Sequence, residues 1–277
     1  MPDNLRHVPA EWLHEHLHDS NVRVIDATVF LPSEANGWRM ESGRAAYEQA
    51  HVPSAVFADL ISDLSDSAGE APFAAAPSEQ FATVMGTLGV SNESTVVAYD
   101  QANGIWATRM WWQLALEGFD NAVILDGGLQ AWQRAGFDTA TGVESYPPAS
   151  FVAHRRPEML RSTADVEAAI TDPDVLLVNA LDAETYAKGH IPGSVNVPFG
   201  DLVDAHGELK SRQELRELFA AAGALDPDKQ PVTYCGGGIA ATAAALALAE
   251  AGRDDVAVYD GSMNAWTADP QRPLQQG

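Results

Sequence analysis

The sequence predicts an α/β protein made of two tandem domains of one fold, each a small parallel sheet with helices on both faces. Three observations predict it. Two sets of phrases recur at a near-constant separation, short β-rich apolar runs alternate with helical stretches, and a stretch with three prolines interrupts the pattern near the middle.

The repeated phrases are YEQAHVPSAVFADL from Tyr47 and YAKGHIPGSVNVPFGDL from Tyr186, followed by VILDGGLQAW ending at Trp132 and VAVYDGSMNAW ending at Trp266. The separations are 139 residues for His51 and His190, 135 for Tyr99 and Tyr234, and 134 for the two tryptophans. Offsets this constant signify a duplication, at a period far longer than that of a solenoid. The apolar runs come in order as VRVIDA, STVVAYD and NAVILDG in the first half, then DVLLVNA, QPVTYC and DVAVYDG in the second. Strands of this composition alternating with helices belong to parallel sheets covered on both faces. TGVESYPPASFVAHRRPEML breaks the helical patterns, so the expected boundaries are 1–140 for the first domain, 141–160 for a linker and 161–277 for the second domain.

The 277 residues are 46% hydrophobic and 20% charged, enough apolar material for real cores. One cysteine provides neither a disulfide framework nor a zinc cluster, and MPDNLRHVPAEWL lacks the apolar run of a secretory signal. With no stretch approaching a membrane span, the expectation is a cytoplasmic protein without a membrane partner. Sixteen basic against thirty-nine acidic side chains give a net charge of −23, which repels phosphate backbones and excludes nucleic acid as an expected partner.

The single thiol stands in VTYCGGGIAAT. Cysteine is often just a small buried hydrophobe. Cys235, however, falls where an apolar strand meets the next helix, and in parallel α/β domains that junction opens onto the ligand crevice. The helix from about Ile239 to Ala251 has free N–H groups in its first turn, which favour an anion such as a thiolate. Gly236, Gly237 and Gly238 can turn further N–H groups inward and leave room for a bulky donor. Neither GxxxxGK(S/T) nor GxGxxG is present, so the loop is not read as a nucleotide cradle. A phosphatase would need arginine six places after the cysteine, where this chain has Ala241.

The doubled Tyr-x3-His-(Ile/Val)-Pro-(Gly/Ser), the cysteine loop in the second copy alone and the paired Asp-Gly-(Gly/Ser)-x3-Trp endings are similar to those of tandem rhodanese-type sulfurtransferases, the thiosulfate and 3-mercaptopyruvate sulfurtransferase family. The likeness runs from about Val8 to Trp266. It implies a catalytic second domain and a first domain of the same fold without the cysteine, its place taken by Asp100. It also implies a Cys235 persulfide, formed from a small sulfur donor and passed to a thiol acceptor such as thioredoxin or glutathione, or to cyanide, with no cofactor and no metal. The backbone amides of Gly236, Gly237, Gly238, Ile239 and Ala240 would hold the substrate.

Members that use thiosulfate tend to carry Arg-Lys after the cysteine, and those that use 3-mercaptopyruvate tend to carry Gly-Ser-Gly-Val-Thr. The loop here is closer to the second kind, with Gly237 for the serine and Ala240 for the threonine. Many members also show Asp-Ala-Arg after the first strand of the catalytic domain and an arginine just before the tyrosine. Here the residues are Asn179-Ala180-Leu181 and Thr185. Arg39 and Arg44, together with Thr185, are the candidates for replacing the missing substrate contacts. The other reading of those losses is a non-catalytic binding or sulfur-relay module that accepts persulfide sulfur from a protein partner.

The remaining conspicuous side chains have plainer explanations. His51 and His190 are expected to tie a turn to the backbone, and His14, His16 and His18 to lie on an exposed polar helix face. Trp106, Trp111 and Trp112 are expected to serve packing, with Arg109 as an ion-pair partner among them.

Overall fold

In the computed structural model, residues 6–34 and 37–277 are described. The chain divides into two compact units, one of residues up to Asp66 with Ala75–Arg155, the other of Ser67–Ala74 with Arg156–Gly277.

The first unit runs β1 (His7–Val8), α1 (Ala10–His16), β2 (Val22–Asp26), two short antiparallel pairs made by β3 (Val29–Phe30) with β6 (Glu41–Ser42) and β4 (Ser33–Glu34) with β5 (Gly37–Trp38), then α2 (Arg44–Gln49), β7 (Val56–Phe57), α3 (Ser78–Thr87), β8 (Thr95–Tyr99), α4 (Ile105–Leu116), β9 (Ala122–Leu125) and α5 (Gly128–Arg134). Its main sheet is parallel in the order β1-β9-β8-β2-β7. The second unit runs β10 (Leu160–Arg161), α6 (Thr163–Ala169), β11 (Val175–Asn179), α7 (Ala183–Lys188), β12 (Val195–Asn196), α8 (Arg212–Ala221), β13 (Gln230–Tyr234), α9 (Ile239–Glu250), β14 (Ala257–Tyr259) and α10 (Ser262–Trp266). Its order is β10-β14-β13-β11-β12, also parallel.

The register repeats as well as the order. Asp26 lies opposite Tyr99 and Asn179 opposite Tyr234 at the carboxyl ends of the central strands. All six apolar runs form strands. β8 is buried at every position and β13 at four of five, as expected for strands covered on both faces. Helix starts follow local chemistry: Ser162 with Asp165 and Ser211 with Glu214 form reciprocal capping boxes at α6 and α8. The Ser162 hydroxyl and N–H hold the Asp165 carboxyl below the usual carboxylate range.

The sequence did not foretell two segments. Residues 141–155, expected as linker, pack on the first unit: Ala149 N donates to Gly86 O at 2.9 Å, Phe151 is buried, and Arg155 Nε donates to Glu117 Oε1 at 2.6 Å. Ser67–Ala74 comes from the first half of the sequence yet completes the second unit. Ala71 lies in its core with Val166, Leu177 and Trp266, and Thr163 Oγ1 donates to Glu70 Oε2 at 3.2 Å. Among the described residues no helix is long and apolar enough to cross a membrane.

Candidate active site

Strand β13 delivers Cys235 to the carboxyl edge of the second sheet, and Cys235-Gly236-Gly237-Gly238 turns the chain into α9. Cys235 is buried, whereas Gly236 and Gly237 beside it are half-buried. Gly238 caps α9 with φ 82, and a Cβ there would stand 2.4 Å from Asp260 O. Only glycine fits.

The turn between β14 and α10 pins this loop. Cys235 N donates to Ser262 Oγ at 3.0 Å, Ser262 Oγ donates to Tyr259 O at 2.8 Å, Met263 N donates to Cys235 O at 3.0 Å, and Asn264 N donates to Gly236 O at 2.8 Å. Ser262 is fully buried at φ 48, where the first copy has Gly128 at φ 56. A serine kept in a conformation suited to glycine is tolerated because its hydroxyl satisfies two backbone groups. Among the described residues, the N–H groups of Gly236 and Gly237 have no acceptor.

The first unit shows what such a loop holds. Asp100 Oδ1 accepts from Ala102 N at 2.8 Å and Gly104 N at 3.0 Å, and Oδ2 accepts from Trp106 N at 3.0 Å and Ala107 N at 2.9 Å. Gly104, at φ 88, caps α4 as Gly238 caps α9. Four converging N–H groups make a receptor for one anionic group, and here the chain's own carboxylate fills it. The second loop is one residue shorter and has a thiol at the same point.

The other sequence candidates fall into two groups. Gly236, Gly237, Gly238, Ile239 and Ala240 form the loop and first turn beside Cys235. Leu181 also belongs there: its Cδ2 would be 3.9 Å from a Cβ on Gly236. Thr185 is exposed, and its hydroxyl and N–H both donate to the Asp182 carboxylate at the start of α7, at 2.7 and 2.9 Å. Arg39 and Arg44 lie on the first unit, Arg39 paired with Glu41 at 2.7 Å and Arg44 over the Phe57 ring at 4.8 Å.

The doubled histidines do structural work. His51 Nδ1 lies 2.7 Å from Tyr47 O and His190 Nδ1 2.9 Å from Tyr186 O, each ring stacked on its tyrosine. Val52 N and Ile191 N donate to Tyr99 and Tyr234 hydroxyls, both at 3.1 Å. Burial pushes the Tyr99 and Tyr234 phenols above their ordinary range, so both hydroxyls stay protonated while their oxygens accept these bonds. His14 stacks on Phe137 and His16 Nδ1 lies 2.8 Å from Asp19, while α1 ends before His18. Trp106, Trp111 and Trp112 are buried, and the Arg109 guanidinium, expected as an ion-pair partner, lies over the Trp112 ring at 4.6 Å. Among the described residues, no three His, Cys, Asp or Glu side chains gather as a metal site.

Sequence reasoning did not single out Ser262 and Asn264. They sit 27 and 29 positions after Cys235, and the pairing of β13 with β14 brings them to it. A serine in the second copy where the first has glycine was the one available signal.

Comparison with known proteins agrees with this geometry. The Rhodanese-like domain model matches residues 9–135 and 162–269. The 3-mercaptopyruvate sulfurtransferase of Escherichia coli (strain K12) is 33% identical, over 97% of each chain. The human 3-mercaptopyruvate sulfurtransferase is 31% identical over 98% of this chain and 95% of its own. The crystal structure of SseA from Escherichia coli superposes with a TM-score of 0.84 at 33% identity, covering 93% of this chain and 98% of that one. EanB superposes with a TM-score of 0.84 at 22% identity, a likeness of fold alone. With both halves matched and relatives aligned from end to end, the chain belongs to the rhodanese family as a tandem pair of rhodanese-like domains.

Proposed function

We propose that Cys235 is the sulfur-carrying nucleophile of this sulfurtransferase and that 3-mercaptopyruvate, rather than thiosulfate, is its donor. The Cys235 thiolate attacks the donor sulfur, the carbon–sulfur bond breaks, and its electron pair goes to the carbon beside the ketone. The thiol proton ends on that carbon, so pyruvate leaves and the enzyme holds Cys–S–S⁻. An acceptor thiolate, such as glutathione or reduced thioredoxin, or cyanide then takes the outer sulfur and restores the Cys235 thiolate. The loop N–H groups stabilise the anion in both states.

The observation that carries this reading is the position of Cys235 at a strand end in a glycine loop whose counterpart gathers four N–H groups on a carboxylate. Donor choice rests on the loop residues, which lack a cation for a dianion, and on the −23 charge of the chain. The relay-module reading is not favoured, since relatives aligned over nearly the whole chain are named sulfurtransferases. A free, unpaired thiol suits a reducing cytoplasm.

The test is intact-mass spectrometry after separate exposure to 3-mercaptopyruvate and thiosulfate, with thiocyanate production from cyanide followed in parallel. One added sulfur on Cys235, faster from 3-mercaptopyruvate, is the expected result. No added sulfur from either donor overturns the reading.

Leu181 and Asn179 also bear on the donor. Asn179 Oδ1 accepts from Leu181 N at 2.8 Å, so the strand end beside the loop is closed by neutral groups. Leu181→Arg is expected to lower the KM for 3-mercaptopyruvate about tenfold, since a charge-assisted hydrogen bond contributes about 1.5 kcal/mol or more. Steady-state kinetics check it, and an unchanged KM means the donor carboxylate lies elsewhere.

A further inference from the structure

Gly237 occupies the loop position where a hydroxyl-bearing residue would be expected from the family pattern, and its backbone does not require glycine, because its φ is not positive. What a side chain there would meet is the end of the Asn264 side chain, which would have to turn aside. A Cβ on Gly237 would stand 2.9 Å from Asn264 Nδ2 and 3.9 Å from Asn264 Cγ. The asparagine is exposed, its N–H is fixed to Gly236 O, and its neighbour Met263 is fixed to Cys235 O. Its side-chain amide has no hydrogen-bond partner among the described residues. A neutral donor group therefore stands beside the half-buried Gly237, two residues from Cys235, in the space a loop side chain would enter. The hydrophobic Leu181 lies beside Gly236, and the Asp260 carboxylate lies beside Gly238, its Oδ1 2.8 Å from where a Cβ would stand.

We propose that Asn264 is a specificity-determining residue that donates its amide N–H to the oxygen-bearing end of the sulfur donor, doing from the first turn of α10 what a hydroxyl on the cysteine loop would do. This deepens the sulfurtransferase reading and rests on it. Asparagine carries no charge, so it recognises a keto acid by direction rather than by attraction, which favours a donor with a carbonyl and a carboxylate over a compact dianion.

The experiment compares Asn264→Ala, Asn264→Asp, Gly237→Ser and the double variant Gly237→Ser with Asn264→Ala, using steady-state kinetics with 3-mercaptopyruvate, intact-mass detection of the Cys235 persulfide and thermal melting. In Asn264→Ala the KM is expected to rise about tenfold, the scale of one hydrogen bond to a charged group, with a smaller fall in kcat and an unchanged melting temperature. Asn264→Asp keeps the shape but sets a carboxylate against the anionic donor, so its KM rises at least as far. Gly237→Ser alone is impaired because the new side chain and the amide compete for one space, and the double variant recovers part of the lost KM. An unchanged KM in both Asn264 variants, or a loss seen only in melting temperature, overturns the proposal. A wild-type protein that takes no sulfur on Cys235 overturns the underlying reading instead, and the two failures are separate because the mass measurement does not depend on Asn264.

Discussion

Cys235→Ser is expected to reduce sulfur transfer by about a thousandfold or more, with no persulfide detectable by mass and a melting temperature close to that of the parent. Serine is nearly isosteric, so the loop bonds to Ser262, Met263 and Asn264, none of which uses the Cys235 side chain, remain. What disappears is the atom: a hydroxyl is ionised far less than a thiol and forms no stable bond to sulfane sulfur. Retained turnover in this variant would move the chemistry off the only cysteine of the chain and end the persulfide mechanism.

The second large effect is one of stability, on the unit without the cysteine. Asp100→Ala removes the acceptor of four N–H groups held at 2.8–3.0 Å, two of them in the buried first turn of α4. Water entering the space recovers part of the loss. The remainder is expected at about 3 kcal/mol, a fall in melting temperature of roughly 6–12 °C for a domain of this size. Asp100→Asn keeps one carbonyl oxygen and should lose less. Calorimetry of both variants checks this, and a melting temperature unmoved by the alanine would mean that the cradle is satisfied by solvent alone. A fall in stability without a matching fall in Cys235 persulfide formation would further separate the structural carboxylate from the chemical thiol.

The parts of this architecture legible in the sequence are those written in local pattern and repetition. The six apolar runs, the duplication and the strand–cysteine–glycine–helix junction all depend on residues adjacent along the chain or on phrases seen twice. The sheet order supplied the rest. Ser262 and Asn264 reach the loop because β14 pairs with β13, and no periodicity near Cys235 announces them. Thr185 looked available as a substrate contact because its partner Asp182 is a helix cap, a role visible only once α7 has a defined start. Residues 141–155 looked like a linker because prolines suppress regular structure, yet backbone bonds to Gly86 and Glu117 and the burial of Phe151 hold them in place. Proline marks the absence of a helix, not the absence of contacts.

The segment Ser67–Ala74 bears on how the protein can be made and cut. Residues 156–277 lack Ala71 and Glu70, so the second unit cannot finish its core from its own half of the sequence. On the ribosome the piece it needs emerges early and must wait, unclaimed, until α6 and β11 have been synthesised. A fragment of residues 156–277 is therefore expected to express as a poorly soluble species with weak protection from hydrogen exchange around Thr163 and Trp266, improved by adding a peptide of residues 67–74. The border between the halves is consequently no place to divide the gene, and the catalytic half depends for its solidity on a stretch encoded in the half that does no chemistry.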